Sequence, residues 1–162
     1  MAVDAVIYGL VGGALLVLVP LAALSWMSRK HGQTGQIDGE LRACPDSLNC
    51  VCSEHRQARA FVAPLAFTCA PDTAWQAVQD ALRILGGRLQ QQGGSYLHAT
   101  FTTRVFRFKD DLELRLDRRR SVIQVRSASR VGYSDLGVNR RRVERLRAVF
   151  NEQLHHGREA VG

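Results

Sequence analysis

The sequence of 162 residues lacks the short motifs that mark several large enzyme classes. It has neither a P-loop nor the glycine fingerprint of dinucleotide-binding domains, so it predicts no nucleotide cofactor. The segment GYSDLG at 132–137 is not the G-x-S-x-G turn that presents the nucleophile of α/β-hydrolases. The paired cysteine knuckles of common zinc sites are also missing. The sequence therefore names no reaction, and we expect neither a cofactor nor a metal.

Charged side chains are absent from the stretch 5–26. A helix of this length spans roughly 30 Å, the hydrocarbon thickness of a bilayer. A cleaved signal peptide is the alternative, but it has a basic start and a shorter apolar core. Here Asp4 is the only charged residue before the run, and no lipobox-like cysteine ends it. We expect a retained single-pass anchor in the inner (cytoplasmic) membrane, with Tyr8 and Trp26 near its two interfaces.

Two features of this apolar run concern partners and orientation. Gly9 and Gly13 have the GxxxG spacing, which lets a second helix approach closely, so a partner membrane protein could bind on this face. Arg29 and Lys30 follow the run and no Lys or Arg precedes it, which favours a cytoplasmic domain. The cysteine cluster that follows favours the opposite side, so the side of the membrane stays open.

The chain is basic, with a formal net charge of +7. Such a charge suits an anionic partner, either lipid headgroups or nucleic acid, although a solvated basic surface is the simpler interpretation. Nucleic-acid binding would need aromatic side chains beside the arginines at 140–147, and these are missing. We therefore expect the lipid bilayer as a partner and no nucleic acid.

Four cysteines lie at 44, 50, 52 and 69. A disulfide between Cys44 and Cys50 is the favoured interpretation of the segment CPDSLNCVCS, in an oxidising compartment. A metal site formed by these cysteines with Cys52 and with His31 or His55 is the less favoured alternative, because the cysteine spacing does not match common zinc sites.

Hydrophobic periodicity after residue 60 predicts alternating strands and helices. Residues 61–67 are predicted as the first strand, with Phe61 and Phe67 in the core. A helix opened by Pro71 follows, with an apolar stripe from Trp75 to Leu85. The last helix starts at 136–139 and buries Phe150. Period-two alternation predicts four more strands, at 88–92, 95–103, 111–117 and 122–130.

This β-α-β4-α order predicts an α+β domain in which both helices cover one face of a mostly antiparallel sheet. The order is similar to that of the TATA-binding-protein-like and helix-grip folds, an analogy that carries no function by itself. The predicted boundaries are 1–28 for the anchor, 29–43 for a linker with few anchoring groups, 44–155 for the domain and 156–162 for the tail.

The strand 122–130 loses its apolar pattern just before a glycine loop and an arginine-rich helix. If the turn at 117–120 sets the register of a hairpin, Asp111 lies near Arg126 or beyond, where a bidentate carboxylate–arginine pair could form. Arginines in the first turns of the helix oppose its dipole, so they need acidic partners. The predicted polar cluster consists of Arg126, Ser127, Ser129, Arg130, Tyr133, Asp135, Asn139, Asp110 and Asp111.

Two interpretations of this polar cluster stay open. As a scaffold, it holds the loop to the sheet and offsets the charge of the helix arginines. As a ligand site, it binds a molecule through side chains such as Arg126 and Ser129. Asp110, Asp111 and Asp135 are the candidate acidic partners, and Asp135 or Asn139 could cap the helix.

Three segments carry a resemblance to a known family: RSASRVGYSDLGVNRRRVERLR, CPDSLNCVCS and VFRFKDDLELRLD. Together they cover nearly the whole chain after residue 43 and resemble a bacterial and plastid family defined only as a domain of unknown function, number 1499. The family pattern has Pro in place of Leu48 and Ser in place of Cys52, so Cys52 and Cys69 look like local additions. The resemblance implies no activity.

The combined expectation is a membrane-anchored, non-catalytic module that binds a lipid, another apolar ligand or a membrane-protein partner. The alternative is a hydrolase-like enzyme with a Ser/Arg/Asp polar site in the stretch 126–139.

Overall fold

The computed structural model describes residues 2–30, 32–54 and 58–159. His31 and His55, the histidines of the alternative metal site, lie outside the described residues. The elements in chain order are α1 (Ala2–Ser28), β1 (Gln36–Ile37), β2 (Glu40–Leu41), β3 (Cys50–Cys52), β4 (Leu65–Ala66), α2 (Pro71–Ile84), β5 (Arg88–Gly93), β6 (Tyr96–Thr102), β7 (Lys109–Asp117), β8 (Val122–Ser129) and α3 (Val138–Glu159).

Helix α1 is long and apolar enough to cross a membrane. Its segment Ile7–Ser28 has a mean hydropathy of 2.3. A membrane anchor and a signal sequence both have this property. The face with Gly9 and Gly13 is open, since nothing lies within 4 Å of a Cβ placed on either residue. Binding of a partner helix there stays a prediction.

One antiparallel sheet organises the rest of the chain. Its strand order is β3-β8-β7-β6-β5, and β4 also pairs with β8. In the β7–β8 hairpin Asp110 pairs with Ser129 and Asp117 pairs with Val122, which confirms the hairpin predicted from the alternation and the turn. The structure adds β3, which pairs with β8 but had not been predicted, and a separate two-stranded sheet of β1 and β2.

Both helices cover one face of this sheet, as predicted. The core on that side contains Leu97, Leu112, Leu114, Ile123 and Val125 from the strands, together with apolar residues of α2 and α3. The alternating apolar residues of each strand therefore point to one side, and the apolar stripes of the two helices pack on them.

The first predicted strand needs a correction. Only Leu65–Ala66 is a strand, and Phe61, predicted in the core, is 44% exposed. Residues 61–64 do not continue the strand because Pro64 has no amide hydrogen to donate to a neighbouring strand. Arginines of α3 bind the carbonyl groups of this segment instead. Arg140 donates to the Phe61 carbonyl at 2.9 Å, and Arg147 donates to the Pro64 carbonyl at 2.8 Å. Phe67 is buried as predicted.

The opposite face of the sheet is covered by residues 32–44, most of which belong to the stretch predicted as a linker (29–43). This stretch is anchored to the sheet: the amide of Gly35 donates to Glu113 at 2.6 Å, and Leu41 is buried. The Gly35 contact is made by a main-chain amide, so the polar, glycine-rich sequence did not indicate it. The domain boundaries stay a prediction.

The predicted Cys44–Cys50 disulfide forms, with a Cα–Cα distance of 5.6 Å. Neither thiolate is therefore available to the alternative metal site. Cys52 is free and fully buried, and burial raises the pKa of its thiol, which makes it a poor nucleophile.

Candidate functional site

The face of the sheet away from the helices buries an ion-pair network around Glu113. Arg126 Nη1 donates to its Oε2 at 2.6 Å, while the Tyr96 hydroxyl donates to its Oε1 at 2.7 Å. The Gly35 amide is the third donor to this carboxylate. The side chain of Glu113 is fully buried and that of Arg126 is 4% exposed. Burial, followed by the hydrogen bond to Glu113, raises the pKa of Tyr96. The carboxylate is thus fixed in place by three donors.

A second pair on this face joins the sheet to the end of α1. Arg130 binds Asp111 in the bidentate manner, with Nε–Oδ2 at 2.9 Å and Nη2–Oδ1 at 2.7 Å. His98 Nε2 lies 2.8 Å from Asp111 Oδ1. Arg130 also donates to the carbonyl oxygen of Lys30 at 2.7 Å. This carboxylate therefore holds the arginine that binds the end of the N-terminal helix.

Burial alone would raise the pKa of Asp111, but the hydrogen bonds from His98 and Arg130 outweigh it and hold the pKa below its ordinary value of 3.8. Because the folded-state pKa is depressed, the stabilisation is present above the unfolded-state value and is lost as the pH falls through the folded-state value. We expect the melting temperature to fall as the pH drops below about 4, and to fall less in Asp111→Asn.

Thermal unfolding followed from about pH 6 to about pH 3 measures this difference. Asp46→Asn is the matched control, because Asp46 is 93% exposed and its pair with Arg59 is long, at 3.4 Å. An acid profile of Asp111→Asn that is parallel to the wild type would contradict the assignment, whereas Asp46→Asn should follow the wild type.

The helix side of the sheet has its own polar network, centred on Asn139. The Ser127 hydroxyl donates to Asn139 Oδ1 at 2.7 Å, and Asn139 Nδ2 donates to Ser129 Oγ at 3.0 Å and to the Asn49 carbonyl at 2.8 Å. Asn139 is fully buried. Arg142 binds Asn139 Oδ1 as well. The network ties the first turn of α3 to the end of β8 and to the disulfide loop.

Asp135 does not join the arginines of β8. Its carboxylate accepts hydrogen bonds from the amides of Gly137 at 2.9 Å and Asn139 at 2.6 Å, so it caps α3. This capping role had been one of two predicted alternatives for Asp135. Tyr133, another predicted site residue, is 67% exposed.

The arginines of α3 were predicted to need acidic partners, and one of the three in its first turns has such a partner. Arg142 forms an ion pair with Asp110. Arg140 donates to main-chain carbonyls of the 59–61 segment, and Arg141 donates to the Leu136 carbonyl at 3.0 Å. Carbonyl oxygens can replace carboxylates here because an arginine offers five donors to any acceptor within reach.

Neither serine of β8 has the surroundings of a nucleophile among the described residues. Their hydroxyls bond to Asn139, and Ser127 also accepts from Arg142. His98 lies on the other face of the sheet, bonded to Asp111. A nucleophilic serine needs an adjacent base, so these contacts do not favour the hydrolase-like alternative.

Two cavities adjoin the predicted polar residues. The first, of about 280 Å³, lies between α1 and the domain and is mostly apolar, although Asp110, Ser129 and Asp135 also line it. The second, of about 310 Å³, lies on the other face and is lined by Asp111, Arg126 and Arg130 among others. Among the described residues the buried Nε of Arg126 has no hydrogen-bond partner. The predicted cluster is thus divided between the two faces of the sheet.

Glu113, Asn49 and Arg142 take part in these networks but were not among the predicted site residues. Glu113 could have been found from the sequence by counting residue pairs outward from the turn at 117–120. This turn fixes the register of the hairpin, in which Glu113 pairs with Arg126. Asn49 could not, since its partners in the network, Ser129 and Asn139, lie 80 and 90 residues later in the chain.

Comparison with known proteins identifies the family of the chain but no activity. None of the curated proteins compared with the chain matches it. The family model described as a protein of unknown function (DUF1499) matches residues 40–150, which include the disulfide loop, the sheet and most of α3. This match confirms the resemblance found in the sequence, and the chain belongs to the DUF1499 family of proteins of unknown function.

Proposed function

We propose that the protein is a single-pass membrane-anchored module, without catalytic activity, that binds an apolar chain such as that of a lipid. The observation that carries this proposal is the cavity between α1 and the domain. Its apolar lining includes Leu21 and Leu24 of α1 and Phe108, Val131 and Val138 of the domain. Its volume of about 280 Å³ is near the lower end for small-molecule sites and suits one chain.

The position of this cavity along α1 supports a ligand taken from the bilayer. Leu21 lies seven residues before Ser28, which is roughly 10 Å along the helix axis. Both leucines belong to the charge-free run that is proposed to span the membrane. The mouth of the cavity then lies at the edge of the hydrocarbon layer, where lipid chains are present at high concentration.

The contacts at the end of α1 support retention of the helix as an anchor. Ser25 and Ser28 are buried. The amide of Lys109 donates to the Ser28 hydroxyl at 3.2 Å, and Arg130 binds the Lys30 carbonyl. Cleavage of a signal peptide near residue 28 would remove one wall of the cavity and the Ser28 hydroxyl to which the Lys109 amide donates.

The proposal predicts that filling the cavity prevents chain binding. We expect Leu24→Trp to reduce cross-linking of the purified full-length protein to a phosphatidylcholine that carries a photoreactive group on its acyl chain. The decrease should be at least about tenfold even if the Trp side chain displaces only two methylene groups of the lipid chain, because their burial contributes roughly 1.6 kcal/mol to binding. Cross-linked peptides identified by mass spectrometry should include Phe108 or Val138.

Leu16→Trp is the matched control, since Leu16 is 80% exposed on α1 and away from the cavity. It should cross-link like the wild type. Equal labelling of the two variants, or labelling confined to the surface of α1, would show that lipid only surrounds the helix and would overturn the proposal.

A further inference from the structure

A basic cavity adjoins the apolar one. It has a volume of about 360 Å³ and lies beside the first turns of α3, where Arg141, Arg142 and Arg145 line it. Thr103 and Val138 line both cavities, so the two are neighbours separated by these side chains. No carboxylate is among the residues that line the basic cavity.

The charges of this cavity are only partly compensated. Arg142 is paired with Asp110 and lies over the ring of Phe101, 4.9 Å from its centroid, so its position is fixed. Arg141 bonds to a carbonyl oxygen and Arg145 has no ion pair among the described residues; both side chains are exposed. At least two positive charges therefore face the cavity without an acidic partner from the domain.

The positions of Arg141 and Arg145 do not stabilise α3. Arg141 and Arg145 are four residues apart, and like charges at this spacing destabilise a helix. Arg141 also lies in the first turn of the helix, where the helix dipole disfavours cations. An anion bound between them would relieve both unfavourable interactions.

The loops around the two cavities expose the kinds of side chain that are favoured at a membrane surface. The loop 103–108 and the loop 131–137 both contact the cavity lined by Leu21 and Leu24. The same loops expose large apolar side chains, with Val105 at 78% and Leu136 at 85%. Arg104 and Arg107 stand between the apolar residues of the first loop. Apolar side chains interleaved with arginines suit the boundary between lipid headgroups and acyl chains.

We propose that the basic cavity binds the phosphate of an anionic phospholipid whose acyl chain occupies the neighbouring apolar cavity. This inference rests on the proposed function and adds the class of headgroup to it. The guanidinium groups of Arg141 and Arg145 would bind the phosphate oxygens in the bidentate manner. Arg142 would act as the fixed third cation of the site.

The test compares a photoreactive phosphatidylglycerol with a photoreactive diacylglycerol, which has the same acyl chains but no phosphate, in vesicles that contain the full-length protein. We expect the wild type to cross-link to the phosphatidylglycerol probe at least about tenfold more than to the other probe. In Arg141→Gln/Arg145→Gln this preference should disappear, while cross-linking to the diacylglycerol probe, which has no phosphate, stays at the wild-type level.

The control Arg119→Gln/Arg120→Gln removes the same net charge from exposed residues in the turn between β7 and β8, which is not part of either cavity. It should keep the wild-type preference. Equal cross-linking of both probes to the wild type, or loss of the preference in the control, would overturn the headgroup site. So would displacement of the phosphatidylglycerol probe by millimolar inorganic phosphate, since the site would then accept the free anion. If neither probe labels the apolar cavity, the proposed function fails instead.

Discussion

Replacing Glu113 with alanine is expected to lower the free energy of unfolding by about 3 to 5 kcal/mol. The substitution leaves the Arg126 guanidinium buried without its counter-charge. It also removes the acceptor for the Tyr96 hydroxyl and the Gly35 amide. Urea unfolding of the purified full-length protein in mild detergent, followed by the fluorescence of buried Trp75, measures the change.

Glu144→Ala is the matched control for this prediction. Glu144 forms an ion pair with Arg147 at 3.1 Å, but its side chain is 55% exposed. Solvent screens such a pair, so the change should stay within about 0.5 kcal/mol. If the two variants lost similar stability, Glu113 could not be part of a desolvated network. Adding Arg126→Met to Glu113→Ala should recover part of the loss, because an apolar pair can replace a buried ion pair.

Replacing Phe150 with alanine is expected to cost about 3 to 5 kcal/mol as well, for a different reason. Phe150 is fully buried among the residues of α2, α3 and the sheet. Removing its ring deletes apolar burial and leaves a cavity that the surrounding side chains fill only in part. The same urea unfolding experiment measures the loss.

Phe106→Ala is the control with the same change of side chain. Phe106 is 39% exposed in the loop between β6 and β7, so the substitution should cost far less. A cost of Phe150→Ala near that of Phe106→Ala would mean that α3 does not pack on the sheet as described.

The contacts of the predicted polar cluster support the scaffold interpretation for most of its members. Arg130 and Asp111 join the sheet to the end of α1, and Asp135 caps α3. Ser127 and Asn139 bind each other inside the domain. The proposed ligand lies between α1 and the loops. Asp110, Ser129 and Asp135 of the predicted cluster also line that cavity, but the proposal rests on residues outside the cluster, such as Leu24 and Arg145.

Local patterns were sufficient to predict the elements that repeat over short distances. The alternation of β7 and β8 and the intervening turn gave the register of the hairpin, and the stripe ending in Phe150 gave the buried side of α3. The separation of Cys44 and Cys50 by six positions made the disulfide a local event as well.

Contacts made by main-chain groups, or between distant segments, could not be predicted in this way. The anchoring of residues 32–43 uses the amide of Gly35, which leaves no trace in a hydrophobicity pattern. Phe61 looks like a core residue by type, but carbonyl contacts with Arg140 determine the path of its segment. For the ion pair between Asp110 and Arg142, the need for an acidic partner and Asp110 as one of three candidates were predicted, but not which arginine it would bind.

The pairing of both β3 and β4 with β8 has a consequence for the order in which the chain folds. Cys50 and Leu65 find their partners, Ala128 and Ile123, only after nearly the whole chain has been synthesised. The hairpin of β7 and β8 and the short disulfide loop can form early, because their contacts are local. The segment 61–64 gains its hydrogen bonds only after α3 has been synthesised, because Arg140 and Arg147 of that helix bind its carbonyl groups. The domain is therefore completed late in synthesis, and truncated chains that end before α3 expose the apolar sheet residues that this helix covers, which favours aggregation.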